Sequence, residues 1–156
     1  MTYDLDNLMS DVKTIMTSNL NTKISAINSE KADSITLASL DANAFFLQDL
    51  DHTTMNYDPF ILYAVEGIEA DGFGPSTVLT YSISIALILA NQNTTDIASR
   101  MFRYQRALKE IFEENFMIKS NANLLSIDLM TPIPLESLNQ SFEYMAIGIQ
   151  LNTSIG

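Results

Sequence analysis

From Val78 to Ala90 the chain alternates strictly. Leu79, Tyr81, Ile83, Ile85, Leu87 and Leu89 take every second position, with Thr80, Ser82, Ser84, Ala86, Ile88 and Ala90 between them. A period of two puts the large residues on one face and the small or hydroxylated ones on the other, which predicts a long β-strand. A polar turn, NQNTTD, follows, and Thr95 or Asp96 is placed to cap a helix. Over that helix Ile97, Met101, Tyr104, Leu108, Ile111 and Phe112 fall within one arc at 100° per residue. They predict the buried side. Arg103, Arg106, Lys109, Glu110 and Glu113 form the polar side, and Phe102 is stranded among them, between Arg106 and Lys109.

The same reading extends to the rest of the chain. From Asp4 to about Asn28, Leu5, Leu8, Met9, Val12, Met16, Leu20, Ile24 and Ile27 recur at steps of three and four. That spacing predicts an amphipathic helix capped by Asp4, and Lys23 inside the stripe suggests less burial in its last turns. Asn28–Asp33 is polar and ends it. Ile35–Leu50 has apolar residues without a clean period and is expected to be a short strand followed by irregular chain. Residues 52–58 read as a loop or an extended segment. PFILYAVE, from Pro59, predicts a strand apolar on both faces, with the proline at its start. GIEADGFGPS, residues 67–76, reads as a long glycine-rich connection. Leu125, Ile127 and Leu129 alternate with Ser126 and Asp128 and predict another strand, which the TPIP run at 131–134 interrupts. Residues 135–140 are expected to be an exposed turn. Phe142–Leu151 predicts the last strand, with Met145, Ile147, Ile149 and Leu151 on one face. The order implies one α+β domain over residues 1–156: a mostly antiparallel β-sheet with two packed α-helices.

Composition narrows the function. There are 156 residues, 47% hydrophobic, enough for a core. No cysteine is present, which removes disulfides and thiolate metal sites. The N-terminus lacks a signal-peptide layout, and no apolar run reaches the ~20 residues of a membrane helix, so a soluble protein is expected. Nineteen acids against eight bases give a net charge of −11. That argues against gripping nucleic acid, since phosphate contacts need surplus Lys and Arg. An acidic wall does suit a conduit past which DNA slides.

Chemical motifs are sparse. The one histidine, His52, lies near Asp49 and Asp51, but the segment departs from a calcium loop at Thr53 and Thr54 and reads as solvated polar chain. No nucleophile-elbow sequence accompanies it. Gly72-Phe73-Gly74 runs into Pro75 and lacks the strand–turn–helix setting of a dinucleotide site. Three Asn-x-Ser/Thr matches read as chance occurrences. No cofactor, metal or catalytic residue is expected, and the chain is not read as an enzyme. The candidate interface is Arg100, Phe102, Arg103, Arg106 and Lys109, which include half of the bases. Read blandly, this is a solvated face with the local pairs Arg106–Glu110 and Lys109–Glu113. As an interface, it would set Phe102 as an anchor, with Glu66, Glu69 and Asp71 either forming the complementary surface of a neighbour or lining a lumen.

Two strings carry a resemblance: Tyr57-Asp58-Pro59-Phe60-Ile61-Leu62 opening a strand, and Arg103-Tyr104-Gln105-Arg106-Ala107-Leu108 in the helix after the long strand. With the order of elements they resemble the tail terminator, or tail completion, proteins of long-tailed bacteriophages. The resemblance implies a virion subunit, assembled in the host cytoplasm, that forms a hexameric ring on the head-proximal end of the tail tube. It further implies two protein partners, the tail tube protein and the head connector. DNA would pass through the lumen without specific binding, and no membrane is involved. Similar folds occur in neck adaptors and tube proteins, which are the alternative. A small α+β enzyme is the remaining one.

Overall fold

The computed structural model describes residues 3–48, 56–72, 74, 77–90, 96–118, 122–135 and 144–155. It begins with helix α1, Leu5–Lys31. Asp4 caps it: the Asp4 carboxylate accepts from the Asn7 amide, and the Asn7 side chain accepts from the Asp4 amide. Ala32 in the left-handed region closes it. The predicted stripe is buried through Ile24 and Ile27, beyond the point where Lys23 suggested it would loosen. Lys23 escapes burial because its long stem carries the ammonium out to Glu114, 2.6 Å away, and Glu110, 3.6 Å away.

Strands β1 (Phe45–Leu47), β2 (Phe60–Asp71) and β3 (Val78–Ala90) follow, then helix α2 (Ile97–Glu114) and strands β4 (Met117–Ile118), β5 (Ala122–Leu129), β6 (Ile133–Leu135) and β7 (Tyr144–Ile155). The fold is α+β. Its sheet runs β1-β2-β3-β7-β5-β4, and β6 also pairs with β7. The ladders are antiparallel except that β1 pairs β2 in parallel, so the sheet is mixed as well as curled.

Three expectations need correction. The glycine-rich stretch from Gly67 is strand as far as Asp71, because Gly67 to Asp71 pair with Ser82 to Val78 after a one-residue shift between Val65 and Gly67. The order expected within Ile35–Leu50 is reversed over its described part, residues 35–48: irregular chain comes first and the strand, β1, after it. Leu135, expected in a turn, is strand: after the expected interruption, which leaves 130–132 outside any strand, Ile133, Pro134 and Leu135 form β6 opposite Ala146, Met145 and Tyr144, and residues 136–140 lie outside the described residues.

Both helices cover one face of the sheet. The main core joins the α1 stripe, Ile61 and Tyr63 of β2, Tyr81 to Leu89 of β3, the predicted arc of α2, and Ile147, Ile149 and Leu151 of β7. The opposite face is divided. One end holds a small cluster of Ala44, Phe60, Ile88, Tyr144 and Ala146. The rest is polar, in cross-strand rows: Glu69, Thr80, Ser154 and Asn123; then Gly67, Ser82, Asn152 and Ser126; then Ala64, Ser84, Gln150 and Asp128. The middle row is bonded sideways. Ser82 donates to Asn152 Oδ1 at 3.1 Å, and Asn152 Nδ2 donates to Ser126 Oγ at 2.8 Å and Asp128 Oδ2 at 3.0 Å.

Among the described residues no helix is long and apolar enough to cross a membrane.

Candidate assembly surface

The basic residues of α2 are engaged within the chain. Arg103 holds both oxygens of Asp33, at 2.9 and 2.6 Å, and donates to the Ile35 carbonyl at 2.8 Å. Arg106 holds both oxygens of Glu30, at 2.9 and 2.7 Å, and its Nε reaches Glu110 at 2.8 Å. Arg100 donates to the Thr36 carbonyl and pairs with Asp96 at 3.2 Å. Lys109 pairs with Glu113. A planar guanidinium matches a carboxylate with two parallel bonds, so these arginines act as clasps. What they clasp is the end of α1 and the chain that follows it. The two local pairs expected from the helical wheel are present, and the long-range ones to Glu30 and Asp33 add to them.

Electrostatics follow the geometry. Arg103 bonding draws the Asp33 carboxyl down to about 2, and the Ile35 amide bond adds to it. The Arg106 guanidinium is held still further above its ordinary range, first by Glu30 and then by Glu110. Tyr104, buried beneath, donates to the Ala38 carbonyl at 2.8 Å and is pushed up to about 12 by burial. Asp96 stands at the helix start without a side-chain capping bond, because its carboxylate serves Arg100 instead.

Phe102 is 55% exposed. On the helical wheel it lies 40° from Arg106 and 60° from Gln105, between the clasp and the β5–β6 side. Gln105 donates to the carbonyls of Met130, at 2.7 Å, and Gly148, at 2.8 Å, which ties this shoulder of α2 to the bend between β5 and β6. Leu129, Met130 and Ile133 of that bend are exposed too. So are Leu125, Phe116 and Met117 around β4 and the start of β5. A strand in strict alternation would have turned Leu125 toward the helices with Ile127. The register shift between Leu124 and Ser126 makes Leu125 the extra residue and leaves it outside.

Glu66, Glu69 and Asp71 are exposed at the other end of the sheet, on the outer part of β2. The structure therefore separates the two sets of candidate residues: the arginines of α2 engage the end of α1 and the chain after it, and the acids lie on the outer part of β2. It also shows apolar residues that the sequence reading passed over. Leu47 and Ile68 are exposed at the β1–β2 rim, and Val78 opposite Asp71 beside it. Exposure at a sheet rim depends on where the covering helices stop, which no local pattern records.

A cleft of about 250 Å³ opens at this second rim, lined by Leu5, Asp6, Met9, Leu47, Gln48 and Val65. Another, of about 160 Å³, lies among Ala38, Asp58, Pro59, Leu89, Ala90, Arg100 and Tyr104. Among the described residues no group of three or more His, Cys, Asp or Glu could hold a metal ion. Asp49, Asp51 and His52 lie outside the described residues, as does Thr95.

The chain matches no protein-family model, and no curated protein is significantly similar to it.

Proposed function

We propose that the chain is a structural subunit that assembles with copies of itself into a ring, and that the ring is a tail terminator at the head–tail joint of a long-tailed bacteriophage. The observation that carries self-assembly is the uncovered apolar surface at both lateral rims of the sheet. Phe102, Leu129, Met130 and Ile133 stand at one rim, and Leu47 and Ile68 at the other. Unlike surfaces on opposite sides of one subunit are what a heterologous, ring-closing contact requires.

The phage assignment rests on the resemblance in the YDPFIL and RYQRAL strings and the order of elements. In that role the ring would sit on the tail tube, receive the head connector and pass DNA through its lumen. The polar sheet face is compatible with such a wall. Its three rows contain Glu69 and Asp128 and no lysine or arginine, so a phosphate backbone finds nothing to bind there.

Negative-stain microscopy and light scattering of the purified chain test the reading. Closed six-fold rings are expected at micromolar concentration. A monomer at every concentration would overturn it, and open tubes of indefinite length would move the chain to a tube-like role.

A further inference from the structure

The helix layer is narrower than the sheet it covers. Six strand columns at about 4.8 Å spacing span roughly 24 Å, and two helices packed 8–10 Å apart cover about 20 Å of that. The shortfall appears at both rims in the plane of the helices. On one side the first turns of α1 leave the cleft lined by Leu5, Met9, Leu47 and Val65. On the other, α2 reaches the Met130 carbonyl through Gln105, 2.7 Å away, but leaves the Leu129 and Met130 side chains exposed, and Phe102 stands exposed on α2 itself.

We infer that these two rims mate: the Phe102 shoulder of one copy, with Leu129 and Met130 beside it, seats in the Leu5–Met9–Leu47–Val65 cleft of a second copy. This rests on the self-assembly reading above and specifies its contact.

Three observations select a second copy as the occupant. Both surfaces lie in the same layer, so neither must climb over a helix to reach the other. They stand at opposite ends of the strand order, so one contact leaves the complementary rim free for the next copy. Area is the third. Phe102 and Leu129 are each 55% exposed and Met130 is 37% exposed. With a large apolar side chain burying on the order of 150–200 Å² when fully covered, the three supply roughly 200–300 Å². That is about a third of the ~800 Å² per partner in a standard interface, the remainder coming from main chain and a polar rim. A cleft of about 250 Å³ has room for one phenyl ring.

The absence of cysteine makes the test clean. A chain carrying Phe102→Cys and Leu47→Cys together should form a ladder of disulfide-linked species on oxidation, and the ladder should collapse on reduction. Either single variant should stay at the monomer band, because the contact joins unlike surfaces. A mixture of the two single variants should give linked dimers and nothing larger. Phe102→Glu, at an exposed position, should keep the parent circular dichroism spectrum and lose the rings. Rings that persist in Phe102→Glu, or in a double-cysteine variant that yields no cross-link, would overturn this contact and leave the ring reading standing. Dimers linked through a single variant would overturn it in favour of an isologous contact. Parent chain that stays monomeric at every concentration would remove the ring reading, and this contact with it.

Discussion

Gly148 sits where two backbones press together. A Cβ there would come 1.9 Å from the Ile85 carbonyl oxygen and 2.9 Å from Ala86 Cα, both main-chain atoms of β3. Neither can swing aside as a side-chain tip would, so the β3–β7 ladder would have to part at its centre. The Gly148 carbonyl also anchors Gln105, so the shift would reach α2. Gly148→Ala should cost about 1–3 kcal/mol, the range for overpacking a filled site. Urea unfolding should show a lower midpoint with an unchanged slope. Asp33 offers a second test at this scale. Its folded pKa, about 2, lies below the ordinary 3.8, so its contribution to stability is complete above pH ~4 and disappears as the pH falls toward 2. Arg103→Met removes the cause. The variant should be less stable than the parent at neutral pH, and the two stability curves should converge between pH 4 and 2. A constant gap across that window would show that Asp33 titrates independently of Arg103. The Asp33 carboxylate is exposed to solvent, so the effect should also shrink with added salt.

At the scale of elements, the segment between α1 and β1 is held in an unusual way. Asn28 accepts from the Leu37 amide at 2.8 Å and donates to the Leu37 carbonyl at 2.9 Å. Asn21, two turns earlier on the same side of α1, does the same for Leu40, at 2.8 Å in both directions. Each amide side chain thus supplies the donor and acceptor that a neighbouring strand would have supplied, and Leu37 and Leu40 are buried. Asn28→Ala leaves both main-chain groups of Leu37 without a partner and should cost about 1–3 kcal/mol. Hydrogen exchange checks it: the Leu37 amide should lose protection while amides in the centre of β3 keep theirs. This arrangement explains what was and was not legible in the chain. The β3 alternation and the α2 arc are local periods of two and 3.6, and both appear in the structure with the residues read from them. Residues 33–44 have no period because their bonds go to asparagines up to 19 residues away. Gly67–Asp71 looked like a loop by composition, yet a partner strand overrides the glycine. On α2 the local pairs were legible, and the clasps to Glu30 and Asp33, about 70 residues distant, were not.

For the whole molecule, the clasped arginines change what should drive association. Had Arg100, Arg103 and Arg106 been free, a basic face would meet the acidic Glu66, Glu69 and Asp71 of a neighbour, and salt would weaken that contact. With the guanidiniums engaged by Asp96, Asp33 and Glu30, the surfaces left over are apolar, on subunits that each carry a net charge of −11. Copies of such a chain repel one another until the ionic atmosphere shortens the range of that repulsion. The Debye length falls from about 30 Å at 0.01 M to about 10 Å at 0.1 M. Apolar contact is unaffected by this screening, and salts excluded from protein surfaces, such as sulfate, strengthen it. Assembly should therefore increase with ionic strength, opposite in sign to a contact between basic and acidic faces. Sedimentation velocity at fixed protein concentration, from 0.01 to 0.3 M salt, reads the difference as the fraction of fast-sedimenting material. A rise with salt, abolished in Phe102→Glu, fits apolar rims. A fall would mean that ion pairs between copies dominate, and that the clasps on α2 open to make them.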